Sequence, residues 1–220
     1  MFKRKSLLAK LLAKENITVI REGTRTASFD VVNRVLRLPL WSHMTDDMYD
    51  LLEGHEVGHA LFTPADGWHH STVNLGINRS FVNIIEDIRI ERLILDMYPG
   101  LYFNFVKGYK ELLKRDFFGL SDRSISSLGF MDRLNIKSKS RNLLDVEFTA
   151  EELPYYELAM SVSTFDDVIS ACQSIAKWLD EKKEDDKPKL DEKDNTVSDE
   201  DGGSSDEDDE TGGEYPSDSS

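Results

Sequence analysis

The chain has 220 residues with 42 acidic and 27 basic side chains, a formal charge of −15, and a single cysteine. The acidity is concentrated: residues 180–220 hold 18 Asp/Glu against 5 Lys, leaving 24 acidic and 22 basic groups in the preceding 179 residues. A near-neutral body without a basic–aromatic stripe argues against nucleic-acid binding, and the absence of any run of about 18 apolar residues argues against a membrane span. One cysteine, Cys172, excludes an intramolecular disulfide and points to a reducing compartment, the cytoplasm.

From the N-terminus, residues 2–14 are basic and amphipathic, and their leucines predict an ordinary first helix rather than a targeting segment, because Lys10 and Lys14 interrupt any apolar core of a signal peptide. A β-rich stretch follows. Residues 17–21 alternate, Glu22-Gly23 can turn, residues 26–30 continue, and Arg34–Leu38 alternates again up to Pro39. This pattern predicts a small antiparallel sheet, one of whose strands is an edge able to align extended substrate by main-chain pairing.

The next helix carries the chemistry. Thr45 followed by Asp46 and Asp47 reads as an N-cap with acidic first-turn residues, and Thr63-Pro64 stops the helix. Near its end lies His55-Glu56-Val57-Gly58-His59. Histidines four apart project from one helical face, where both imidazoles can hold a single Zn²⁺. The intervening glutamate is then placed to take a proton from a bound water. His69 and His70 in the following loop are candidate oxyanion donors, with Tyr98, Tyr102 and Tyr109 behind them.

Two histidines need a third protein ligand. Residues after His59 lack the His-x-x-Gly-x-x-His continuation, so the third ligand must come from elsewhere. The stretch Asn78–Leu93 predicts a largely buried helix with apolar residues at 82, 84, 85 and 88, and acidic groups inside such a helix are costly unless paired or metal-bound. Glu86 is the preferred third ligand, at a gluzincin-type interval, and Asp87 is the close alternative. Asn83, Arg89 and Glu91 are candidate partners that orient the ligands. Farther on, Asn104–Phe118 and Ser124–Leu134 read as helices. Thr149 with Glu152 and Thr164 with Asp167 read as helix starts, and Phe165–Glu181 as a final amphipathic helix that buries Cys172.

The pairing of HEVGHALFTP with NIIEDIRIERL resembles the zincin-like metallopeptidase domain of the cobaltochelatase T-subunit and von Willebrand A-associated type, which includes bacteriophage-encoded members. The resemblance covers about residues 15–120, with Glu86, Asp87, Arg89 and Glu91 matching the E-D-x-R-x-E helix, and extends to the style of the tail. It implies an α+β, gluzincin-type fold: a small antiparallel sheet and active-site helix, then a helical C-terminal part. In such proteins an acidic linker leads to a von Willebrand A module. None follows here, so the chain is expected to be a stand-alone version or the front piece of a split or truncated protein.

The expected organisation is one domain over residues 1–179, with the metal site in 15–120 and a helical subregion in 121–179, and a disordered acidic tail over 180–220, too poor in apolar residues to offset its chain entropy. The expected function is zinc-dependent hydrolysis of a peptide or protein substrate, with Glu56 as general base. The alternative is a non-catalytic zinc scaffold docking a protein partner of the AAA+, chelatase-like or von Willebrand A type.

Overall fold

The computed structural model describes residues 9–10 and 12–185 and has an α+β architecture, three short strands followed by a succession of helices. The basic stretch before residue 9 and the acidic stretch after residue 185 lie outside the described residues. Ala9, Lys10, Leu12 and Ala13 are helical, and the two alanines are buried against the sheet side of the molecule.

The sheet contains β1 (Thr18–Glu22), β2 (Ser28–Asp30) and β3 (Val35–Pro39) in the order β1-β3-β2. It is mixed, which corrects the expected antiparallel sheet: β2 pairs antiparallel with β3, but β1 pairs with β3 in parallel, Thr18 opposite Val35. The local cause is the turn between β2 and β3. Asp30 Oδ1 accepts from the backbone N–H groups of Val32 and Asn33, and Arg34 takes a left-handed φ of 57°. This Asx-type turn folds β2 directly onto β3. The reversal after Glu22 does occur, but β1 is left to the other edge of β3, whose Leu36 and Leu38 are fully buried and make it the central strand.

Helix α1 (Asp46–Phe62) carries the histidines. Thr45 caps it by accepting from the Met48 N–H, and Thr63 ends it with its own N–H donating to the His59 carbonyl. Most of α1 is buried, because it packs against the sheet, α2 (Arg79–Met97) and α3 (Tyr102–Lys114). Two glycines set these distances. A Cβ on Gly58 would stand 2.9 Å from Ile90 Cδ1, and one on Gly108 would stand 2.8 Å from the Asp47 carbonyl oxygen. The first lets α1 approach α2 at the level of the histidines, and the second lets α3 lie against the start of α1.

Helix α2 starts at Asn78, whose side chain accepts from the Ser80 N–H, and runs between two apolar cores. Val82, Ile85 and Ile88 join one core with α4 (Phe130–Ser140), α5 (Leu153–Ser161) and α6 (Phe165–Asp185). Ile94 joins the other, with α1, α3 and the sheet. Being covered on both sides, α2 buries Glu86, Asp87, Arg89 and Glu91.

The helix expected at Ser124–Leu134 is instead α4, preceded by a short 3₁₀ turn at Ile125–Ser127. Extended Gly129 breaks the segment between them. Both expected capping boxes form: Thr149 and Glu152 exchange hydrogen bonds, as do Thr164 and Asp167. Helix α6 continues to Asp185, past Asp180, where the sequence places the start of the tail. The rest of that tail lies outside the described residues. Cys172 is fully buried on α6, where burial pushes its thiol up to about 12.

Candidate metal centre

His55, His59 and Asp87 each offer one ligand atom, and these atoms all lie within 4.8 Å of one another. Asp87 Oδ1 is 3.2 Å from His59 Nε2 and 3.5 Å from His55 Nε2. Tetrahedral zinc with bonds of ~2.0–2.1 Å separates its ligand atoms by about 3.3 Å. These two edges are close to that length, and the group could hold a metal ion. The imidazoles stand edge to face, ring centres 5.0 Å apart, as two histidines converging on one point from adjacent turns of α1.

Glu86, the preferred third ligand from sequence, is placed elsewhere. Its carboxylate receives two hydrogen bonds from Arg89, both 2.7 Å, and one from the Thr63 hydroxyl at 2.6 Å. On a helix, neighbouring residues point about 100° apart, so Glu86 and Asp87 cannot share one face. Asp87 turns to the histidines and Glu86 to Arg89. Glu86 still acts on the site, through Thr63. The Thr63 hydroxyl has one proton and gives it to Glu86, so it accepts from His59 Nδ1–H, 2.9 Å away. Nδ1 is thus engaged by Thr63, and Nε2 is the atom turned to Asp87, where it would be the nitrogen offered to a metal.

Glu91 does the same for His55, accepting from Nδ1 at 3.0 Å. That carboxylate also accepts from Tyr109 and is paired with Arg141. Lys139 Nζ lies 3.0 Å from Asp87 Oδ2. Three carboxylates (Glu56, Asp87, Glu91) thus lie about the histidines with two fixed cations, Lys139 and Arg141, leaving a net negative charge when the imidazoles are neutral. The titration of the groups follows. Burial works against charge on His55, but Asp87, Glu91 and Glu56 prevail and hold its pKa well above the usual histidine. Burial likewise opposes charge on Asp87 and Glu91. Lys139 with the histidines keeps Asp87 well below the usual carboxylate range, and Arg141 with His55 keeps Glu91 below it. A divalent cation suits such a site.

His55 and Glu56 border a cavity of about 40 Å³, walled also by Thr26 and Ala27 ahead of β2, Tyr109 of α3, Phe117 and Phe118, and Lys139. That volume admits a few waters. Buried Glu56 is thus a wall residue of the same cavity as His55.

The other sequence candidates fall apart from this cluster. His69 and His70 are exposed on helical turns spanning Gly67–His69 and His70–Asn74, and neither belongs to the His55–His59–Asp87 group or the cavity wall. Tyr98 donates to the Leu12 carbonyl, and Tyr102 is half exposed. Asn83, one turn before Asp87, is half-buried. Lys139 and Arg141 were not legible: they end a polar stretch, Lys137-Ser138-Lys139-Ser140-Arg141, that reads as a solvated helix face. Thr63 reads only as a helix stop.

Among the described residues, no helix is long and apolar enough to cross a membrane. Set against known protein families, curated proteins and solved structures, the chain matches none of them.

Proposed function

We propose that this chain is a zincin-like, zinc-dependent metallopeptidase that hydrolyses peptide bonds by metal-activated water. One observation carries the reading: Asp87 Oδ1 stands 3.2 and 3.5 Å from Nε2 of His59 and His55, distances compatible with ligands of one zinc ion, and Glu56 borders the cavity that His55 lines. His55, His59 and Asp87 would hold the ion, which would polarise the substrate carbonyl and lower the pKa of a water. Glu56 takes the water's proton as its oxygen adds to the carbonyl carbon. When the carbon–nitrogen bond breaks, Glu56 passes that proton to the departing amine. Thr63 and Glu91 hold the two imidazoles in orientation. Thr26 and Ala27 lead into β2, which supports β2 as the edge that pairs with an extended substrate. A buried, unpaired Cys172 is in keeping with a cytoplasmic setting.

The reading is tested by zinc content and peptide hydrolysis of the wild-type protein and Glu56→Gln. It requires that both bind one zinc and that only the wild type hydrolyses, with a loss of about 10²–10⁴-fold in the variant. Wild-type protein without zinc would refute it.

A second reading has its own support. The ligand set ties α1 to α2, and Lys139 of α4 pairs with Asp87, so an ion held there would also join three helices. This favours a zinc-stabilised scaffold that docks a protein partner, such as an AAA+ or chelatase-like ATPase. Stoichiometric zinc without turnover on any peptide or protein would put that reading ahead.

A further inference from the structure

The cavity beside the histidines has a cation in its wall. Lys139 sits in the last turn of α4, is 13% exposed, and borders the same space as His55 and Glu56. The Asp87 carboxylate is divided between two duties: Oδ1 faces the imidazoles and Oδ2 receives Lys139 at 3.0 Å. Arg141, in a left-handed conformation just beyond the helix, is turned instead to Glu91. The end of α4 thus delivers two cations with different stations, one behind His55 and one at the cavity.

We propose that Lys139 is a catalytic residue whose ammonium donates a hydrogen bond to the scissile carbonyl oxygen of the substrate as negative charge builds there. The proposal rests on the hydrolytic reading above. In the step concerned, Glu56 removes a proton from water, the water oxygen bonds to the carbonyl carbon, and the C=O π pair moves onto the carbonyl oxygen. Lys139 stabilises that oxygen. The pair then re-forms the double bond as the carbon–nitrogen bond breaks, and the amine leaves with the proton held by Glu56. A lysine head has three donors and turns about its last bond, so one anchor on a carboxylate is compatible with a second station on a reacting oxygen. Rival donors are placed less well: the Tyr109 hydroxyl is committed to Glu91, and His69 and His70 are exposed outside the cavity wall.

The test compares full-length wild type, Lys139→Met and Lys139→Arg for zinc stoichiometry, circular dichroism, steady-state hydrolysis, and affinity for two ligands. One is a phosphinic peptide, whose anionic oxygen mimics the developing charge; the other is an N-methylated peptide that is not cleaved. The proposal predicts that Lys139→Met keeps its zinc and its KM within a few-fold, while kcat falls about 10²-fold or more. It also loses about tenfold or more in affinity for the phosphinic peptide and none for the N-methylated one, and Lys139→Arg recovers part of both losses. Folded Lys139→Met with unchanged kcat overturns the proposal, and so does loss of zinc together with activity, which would reduce Lys139 to a support for Asp87. If Lys139→Met does not fold, the same readouts on Lys139→Arg decide: zinc retained with reduced kcat and phosphinic affinity supports the role, and unchanged values overturn it. Wild-type protein without Glu56-dependent hydrolysis overturns the hydrolytic reading itself, and this proposal with it.

Discussion

Asp87 reaches across from α2 to place its Oδ1 3.2 Å from His59 Nε2, while Glu86, its neighbour in sequence, is held by Arg89 on another side of the same helix. Two adjacent acidic residues therefore have different duties. Asp87→Asn is expected to lose stoichiometric zinc while remaining folded. Glu86→Gln is expected to retain zinc in its folded fraction but to lose roughly 3 kcal/mol of stability, since Arg89 would stay buried without its counter-charge. Metal analysis with thermal unfolding of both variants checks this; zinc loss in Glu86→Gln alone would reverse the assignment.

The Thr63 hydroxyl joins His59 Nδ1 to the Glu86 carboxylate. Thr63→Val keeps the shape and removes the relay, so the His59 proton loses its acceptor. Zinc affinity should fall about 10–100-fold. A competition titration with a chromophoric chelator measures it, and an unchanged affinity would show that the relay does not orient His59.

Why was the rest of the site harder to read than the His-Glu-x-x-His motif? The motif is local: caps at Thr45 and Thr63, helical spacing and the Pro64 stop lie within twenty or so residues of the sequence. The acidic helix was legible as buried, because its apolar residues run round both faces. The ligand face was not, because one residue's difference in helical phase separates Asp87 from Glu86, and packing against α1 sets that phase. Lys139 and Arg141 come from about 50 residues away and resemble ordinary surface charges until α4 docks. The sheet failed for a similar reason. Strand positions follow from alternation, but the Asx-type turn at Asp30 and the burial of Leu36 and Leu38 decide which strand is central.

Gly108 offers a test of the scaffold. A methyl there would meet Leu51 Cβ at 2.7 Å and the Asp47 carbonyl oxygen at 2.8 Å, neither at the end of a flexible side chain. Gly108→Ala should therefore destabilise the protein by about 1–3 kcal/mol despite its better helix propensity. Chemical denaturation reads the change. Equal or greater stability would mean that α1 and α3 are not so closely packed.

Stability should also carry a pH signature at Glu152. Its carboxylate, buried, is held by Arg133 at 2.5 and 3.1 Å and by the Thr149 N–H at 2.8 Å. Burial opposes the charge, but the Arg133 and Thr149 bonds prevail and hold its pKa below the ordinary 4.5. A depressed folded pKa gives stability that is present above the unfolded value and lost as pH falls through the folded one. Glu152→Ala should cost about 1–2 kcal/mol at pH 7. The gap between variant and wild type should narrow below pH 4.5; a gap independent of pH would contradict the ionised capping box.

The metal centre is tested most directly by an anomalous difference map collected above the zinc edge from crystals of zinc-loaded protein. One strong peak is expected within bonding distance, about 2.0–2.2 Å, of His55 Nε2, His59 Nε2 and Asp87 Oδ1, with Glu86 still on Arg89. No peak between the two histidines, or a peak bound by Glu86 in place of Asp87, would contradict it.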